Sequence, residues 1–223
     1  MKYFIFLSLL FVSNFYFIQS GFANCNSLCA RTCLMGGTIA PACYAACMPG
    51  CMALTRNCFS NDTSIYLQKN NTIIETNIFN IKKNDKVLTI RNGKKILTTI
   101  KNIYREEGNF IFYKIQAKNE KGNIRILKVT ENHGIIVLNA NNGKKSIVLA
   151  KSAKKGNLLL TSDGNYIIFN ITKEILKEKY SLYTDDGTVL ASNIFVTTLC
   201  EEDIEEGVSF DGFMEKWRNN HKL

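Results

Sequence analysis

At 223 residues, with 46% hydrophobic and 21% charged residues, the chain can build one medium domain and a small one, and its composition excludes a disordered protein. Of the formal charge of +9, residues 1–57 hold only Lys2, Arg31 and Arg56 and no acid; the other 25 basic residues face 19 acidic ones and are scattered as pairs such as Lys82-Lys83, Lys94-Lys95, Lys144-Lys145 and Lys154-Lys155. A nucleic-acid partner is not expected, because that needs basic side chains gathered on one face and interleaved with aromatics.

Met1-Lys2 leads into the apolar run Tyr3-Phe4-Ile5-Phe6-Leu7-Ser8-Leu9-Leu10-Phe11-Val12, and small residues follow at Ser20, Gly21 and Ala23. This is the order of a secretory signal, assigned to 1–23, and it predicts a secreted, extracellular product. The apolar run reaches Ile18 if Ser13 and Asn14 are allowed, so an uncleaved anchor is the alternative. The glycosylation acceptor patterns Asn61-Asp62-Thr63, Asn70-Asn71-Thr72 and Asn170-Ile171-Thr172 agree with secretion but arise easily by chance in an Asn-rich chain.

In the segment 24–57 the cysteines stand in two blocks, Cys25, Cys29, Cys33 and Cys43, Cys47, Cys51. Residues four apart share one face of an α-helix, so the spacing predicts a disulfide-stapled helical hairpin with Met35-Gly36-Gly37-Thr38 through Pro41 as its turn. Such a hairpin suits the nested pairing Cys25 with Cys51, Cys29 with Cys47 and Cys33 with Cys43, one among the fifteen that six cysteines allow. Pro49-Gly50 ends or kinks the second helix near Met48. So short a segment buries little core and depends on its staples. A metal centre is not expected: histidine partners are missing, and thiolates in an oxidising compartment become disulfides. Leu28, Leu34, Met35, Ile39, Met48, Met52 and Leu54 leave membrane contact open, while a stapled secreted peptide with an unidentified partner is the plainer reading.

Two cysteines remain, Cys58 and Cys200. Cys58 heads a region, 58–200, of alternating segments, with strands predicted at 64–67, 77–81, 86–90, 95–104, 110–117, 123–129, 134–138, 146–150, 157–161, 166–170, 180–184, around Val189 and at 194–198. The turn dipeptides Asn92-Gly93, Lys121-Gly122, Asn142-Gly143, Asp163-Gly164 and Asp186-Gly187 separate them. One short helix is expected at 172–179. The fold class is therefore all-β, a compact and strongly coiled domain rather than a parallel α/β sheet. The tail 201–223 carries Phe210, Phe213, Met214 and Trp217 at helical spacing, a stripe expected to pack on its own domain rather than to grip a lipid.

The thiol of a domain's first residue can attack the carbonyl carbon just before it, which here belongs to Asn57. The surrounding residues give that chemistry a context. Cys58-Phe59 with Asp62 and Ile65-Tyr66-Leu67 resembles the opening of a Hint domain, the module shared by hedgehog autoprocessing domains and inteins. Ile81-Lys82-Lys83-Asn84-Asp85-Lys86-Val87-Leu88 is similar to that family's L-x-x-G-D-x-V-L block, with Asn84 where glycine is usual. Thr130-Glu131-Asn132-His133 matches its T-x-x-H block, and Phe112-Tyr113-Lys114-Ile115 is similar to the hedgehog strand before it. Tyr183-Thr184-Asp185-Asp186-Gly187-Thr188-Val189, Ala191 and Cys200 resemble the closing region without its proline.

The resemblance, closest to the hedgehog type, implies a β domain with pseudo-twofold repeats that cuts its own chain once, at Asn57-Cys58, without a cofactor. An N-to-S acyl shift at Cys58 would form a thioester, and water, a small thiol or an alcohol would resolve it and release the N-terminal segment. Thr130 would hold the oxyanion or the scissile amide, and His133 would protonate the departing nitrogen, a task suited to imidazole near neutral pH. The departures matter. No His-Asn pair precedes a nucleophile near Val196-Thr197-Thr198-Leu199-Cys200, so splicing is not expected. The hedgehog aspartate has only shifted acids, Glu106 and Glu107, in its place, and the tail is short, so sterol transfer is the less favoured outcome. Cys200 stands as a disulfide partner of Cys58, a buried thiol or a thioester acceptor, and His221 as a solvated tail residue. The rival class is a non-catalytic, toxin-like or binding peptide carried on an inert β domain.

Overall fold

The computed structural model describes residues 34–35, 38–39, 58–139, 141–199 and 209–220. The signal segment, all six clustered cysteines, Asn57, Cys200 and His221 lie outside them, and so do the helices and disulfides expected in 24–57. The chain divides into two compact units, Met1–Leu54 and Thr55–Leu223. In the first, β1 (Leu34–Met35) pairs antiparallel with β2 (Thr38–Ile39), Met35 opposite Thr38.

In the second unit turn chemistry sets the first elements. β3 (Ser64–Lys69) and β4 (Thr72–Asn77) are joined at Asn70-Asn71, both with positive φ, which asparagine tolerates better than most residues. The strand expected at 77–81 is instead a single 3-10 turn, Ile78–Asn80, whose Ile78 is buried while Phe79 faces out. β5 (Lys86–Arg91) then turns at Asn92-Gly93 into β6 (Lys94–Lys118). Asn84, where the resembling family has glycine, has φ 72, so an asparagine fills a backbone position that glycine would favour.

β6 runs unbroken through both stretches expected as separate strands. Its partner is β11 (Asn165–Thr184), which absorbs two more expected strands and replaces the helix expected at 172–179. Thr172-Lys173-Glu174-Ile175-Leu176-Lys177-Glu178-Lys179 has good helix formers, yet β6 offers this segment a ladder of partners, and cross-strand pairing overrides local propensity. Lys179 pairs with Glu106 at 2.9 Å, Glu178 with Arg105 at 2.7 Å, and Lys173 sits over the Tyr113 ring.

The remaining strands are β7 (Ile124–Thr130), β8 (Gly134–Leu138), β9 (Lys145–Leu149), β10 (Leu158–Leu160), β12 (Thr188–Ala191) and β13 (Ile194–Thr197). Hydrogen bonding follows the order β10-β11-β6-β5-β3-β12-β13-β8-β9, and a further pairing of β10 with β8 closes the path into a ring that leaves few open edges. One apolar cluster fills the body, including Phe59, Ile65, Ile115, Leu127, Tyr166 and Val196. A second joins Ile136, Ile147, Phe195 and Leu199 to the helix α1 (Phe210–Asn220) through Phe210, Met214 and Trp217, while Phe213 is half-buried. α1 thus packs on the β body, with Ser209 bridged to Ser146. Among the described residues no helix is long and apolar enough to cross a membrane.

Candidate active site

Residues 58–60 thread between β7 and β11. Phe59, fully buried, donates its N–H to the Tyr180 carbonyl at 2.7 Å and accepts the Tyr180 N–H at 2.9 Å, and the Ser60 N–H reaches the Lys128 carbonyl at 3.2 Å. This fixes the residue before them. The Cys58 carbonyl accepts the Thr130 N–H at 3.0 Å, and the Cys58 N–H donates to the Thr130 hydroxyl oxygen, also at 3.0 Å. Of the two roles expected for the Thr130 hydroxyl, this geometry engages it with the amide nitrogen. Cys58 is buried and carries a thiol.

Thr130 ends β7, and a tight turn leads to His133 just before β8, with the His133 N–H on the Thr130 carbonyl at 3.1 Å. The 3-10 turn Ala150–Ser152 clasps this loop from the far side. The Ala150 N–H bonds the His133 carbonyl at 2.9 Å, the Lys151 N–H bonds the Glu131 carbonyl at 2.8 Å, and Lys151 Nζ donates to Asn132 Oδ1 at 2.6 Å. Thr197 of β13 closes the site by donating from its hydroxyl to the Gly134 carbonyl at 3.2 Å.

The His133 ring is wholly buried and meets the Phe59 ring edge to face, with centroids 4.4 Å apart. Burial lowers its pKa from 6.5 to about 3, against the opposing pull of the Thr197 and Cys58 backbones. Neither ring nitrogen completes a hydrogen bond of normal geometry among the described residues. The Thr197 and Cys58 backbones thus lie near enough to act on the ring, but their contacts fall short of full hydrogen bonds, which leaves a buried polar group incompletely satisfied. The expectation of an imidazole titrating near neutral pH is corrected: this ring is uncharged at pH 7 because it is out of water.

The structure therefore gathers Cys58, Thr130 and His133 at one place. Other residues hold them there: Phe59 and Thr197 against the imidazole, Lys151 and Asn132 on the loop. Phe59 and Asn132 are letters of the quoted sequence blocks, but no local signal marks the holding role of any of the four, since each acts through tertiary contact. The shifted acids lie elsewhere, Glu106 with Lys179 at 2.9 Å and Glu107 with Arg105 at 2.9 Å. An open groove of about 530 Å³ begins at Asn61 and runs past Phe79, Ile81, Ile103 and Tyr180 to the Arg105–Glu178 pair. Among the described residues no three His, Cys, Asp or Glu side chains come together as a metal site.

Solved structures share this architecture. An intein from a hyperthermophile superposes with a TM-score of 0.55 at 20% identity over 63% of this chain and 99% of its own. A DnaB intein from Synechocystis gives 0.52 at 16%, over 63% of this chain and 97% of its own. A bacterial intein-like domain from Clostridium thermocellum gives 0.50 at 21%, over 63% and 97%. The β body thus has the Hint fold found in inteins. No protein-family model matches the chain, and no curated protein matches it.

Proposed function

We propose that this chain is a secreted precursor whose Hint-fold domain cuts the Asn57-Cys58 bond and releases the cysteine-rich segment 24–57. The observation that carries the reading is the Cys58 amide held on the Thr130 hydroxyl, with the buried His133 imidazole packed on Phe59 beside it. A neutral imidazole first acts as a base and takes the Cys58 thiol proton. The thiolate attacks the Asn57 carbonyl carbon through a five-membered ring. As the C–N bond breaks, the imidazolium, a strong acid because burial disfavours its charge, returns the proton to the Cys58 nitrogen. The products are a thioester at the Cys58 sulfur and a free amine on the same residue.

Water, a small thiol or an alcohol then attacks the thioester carbonyl, and the sulfur leaves as the thiol. Sterol, as the acceptor alcohol, would leave a lipid on the product's new C-terminus. Intact-mass measurement of the chain expressed under reducing conditions with added thiol tests the reading. Fragments ending at Asn57 and starting at Cys58, absent in Cys58→Ala, support it, and the mass of the N-terminal fragment identifies the acceptor. An uncut chain under those conditions returns the protein to the rival class, a stapled binding peptide on an inert β body.

A further inference from the structure

Below the Cys58–Thr130 contact the chain is laced to β7 twice more. The Ser60 N–H bonds the Lys128 carbonyl at 3.2 Å, and Lys128 Nζ donates to Asp62 Oδ2 at 2.6 Å. The other carboxylate oxygen of Asp62 accepts the Ser60 hydroxyl at 2.5 Å, and the Ser60 oxygen lies 3.1 Å from that of Thr63. Lys128 also reaches Glu174 of β11 at 3.2 Å, which ties the same rung to the strand on the opposite flank. Directly across β6 stands Lys114, so Lys128 has a like charge as its ladder neighbour and needs its two carboxylates to stay in place.

We propose that Asp62 and Lys128 are positioning residues that set the register of Cys58 against Thr130. Four residues past the thiol and two before the threonine, they fasten the far end of a short ladder whose near end is the amide to be cut. Without that fastening, residues 58–62 can slide relative to β7, and the amide of residue 58 loses its fixed acceptor. The Lys128 side chain is about four-fifths buried while that of Asp62 is 55% exposed, so the pair sits at the rim, and its hold on the register comes from the Ser60 and Glu174 contacts it shares as well as from the charge-assisted bond itself. Asp62 is one letter of the opening block that resembles a Hint domain, and nothing local to Lys128 marks this role.

The kinetic test rests on the self-cleavage reading, so a second measurement stands apart from it. In the full chain, Asp62→Ala and Lys128→Met each lower the first-order cleavage rate by about tenfold with an unchanged thermal midpoint, while Asp62→Glu and Lys128→Arg stay close to the parent. The exchanged pair Asp62→Lys with Lys128→Asp, made together with Glu174→Gln so that the new aspartate meets no like charge, recovers most of the rate. In the uncut Cys58→Ala chain, the amide hydrogen of residue 58 exchanges about tenfold faster once Asp62→Ala is added. Parent rates in both single variants, or slowing that only follows a lowered midpoint and is not recovered by the exchanged pair, overturn the proposal. So does unchanged exchange at residue 58. If the parent chain does not cut itself, the self-cleavage reading falls and the exchange measurement decides the proposal.

Discussion

The amide nitrogen of Cys58 sits 3.0 Å from the hydroxyl oxygen of Thr130, 72 residues away in sequence, while the Thr130 N–H returns a bond to the Cys58 carbonyl at the same distance. One residue at the end of β7 thus grips both sides of the residue on which the proposed reaction turns.

Removing the hydroxyl and keeping the shape separates the two bonds. Thr130→Val leaves the backbone bond and strands the Cys58 N–H, a loss of about 1–3 kcal/mol if the same contact persists in the transition state. Cleavage, followed as the fraction of chain cut against time, is expected to slow by about tenfold to a hundredfold, and Thr130→Ser to stay near the parent. Equal rates in the two variants would show that the hydroxyl does not act on this amide.

The buried imidazole makes stability acid-sensitive. The folded-state pKa of His133 is about 3, against about 6.5 for an unfolded histidine. The unfolded chain takes up the proton first, so this contribution to stability is fully present above pH 6.5 and is lost as pH falls from there toward 3. At pH 5 the loss is about 2 kcal/mol. Chemical denaturation of Cys58→Ala at pH 7 and pH 5 should show the drop, and adding His133→Gln should remove most of it. A drop that is unchanged with glutamine at this position would assign the acid sensitivity to other groups.

Gly187 marks where α1 meets the β body. Its φ is +67, and a Cβ there would stand 2.6 Å from Leu199 Cδ2 and 2.9 Å from both Met214 and Trp217. Gly187→Ala therefore combines left-handed strain with overpacking, together about 3 kcal/mol. Because Trp217 is the chain's single tryptophan and is buried, its fluorescence should shift to the red as the helix lifts. An unshifted spectrum with parent stability would mean that the helix gives way without cost.

Arg91 donates from Nε to Asp186 Oδ1 at 2.6 Å, and the Asp186 side chain is 2% exposed. Arg91→Ala removes the hydrogen-bonded counter-charge of that carboxylate and leaves only its electrostatic contact with Arg218, a loss of about 1–3 kcal/mol in urea denaturation because Arg91 itself is half exposed. Arg91→Lys should recover little, since a single ammonium cannot reproduce the guanidinium fork. Full recovery with lysine would reduce the contact to simple charge.

Local chemistry along the chain is enough for the all-β class and most of its punctuation. Asn92-Gly93, Asp186-Gly187 and Asn142-Gly143 carry their turn conformations in their own chemistry, and the alternation of Lys86 with Val87 or of Ile100 with Lys101 sorts outside from inside locally. The chain's resemblance to the Hint family also grouped Cys58, Thr130 and His133 as an expected set. Long-range packing makes 172–179 a strand, joins β6 and β11 each into one long element, and keeps the imidazole uncharged at neutral pH. The reason is the same in each case. A turn is fixed by its own few residues, but a strand's length depends on the partner laid beside it, and a ring's pKa depends on how much water distant residues such as Phe59 and Thr197 keep away from it.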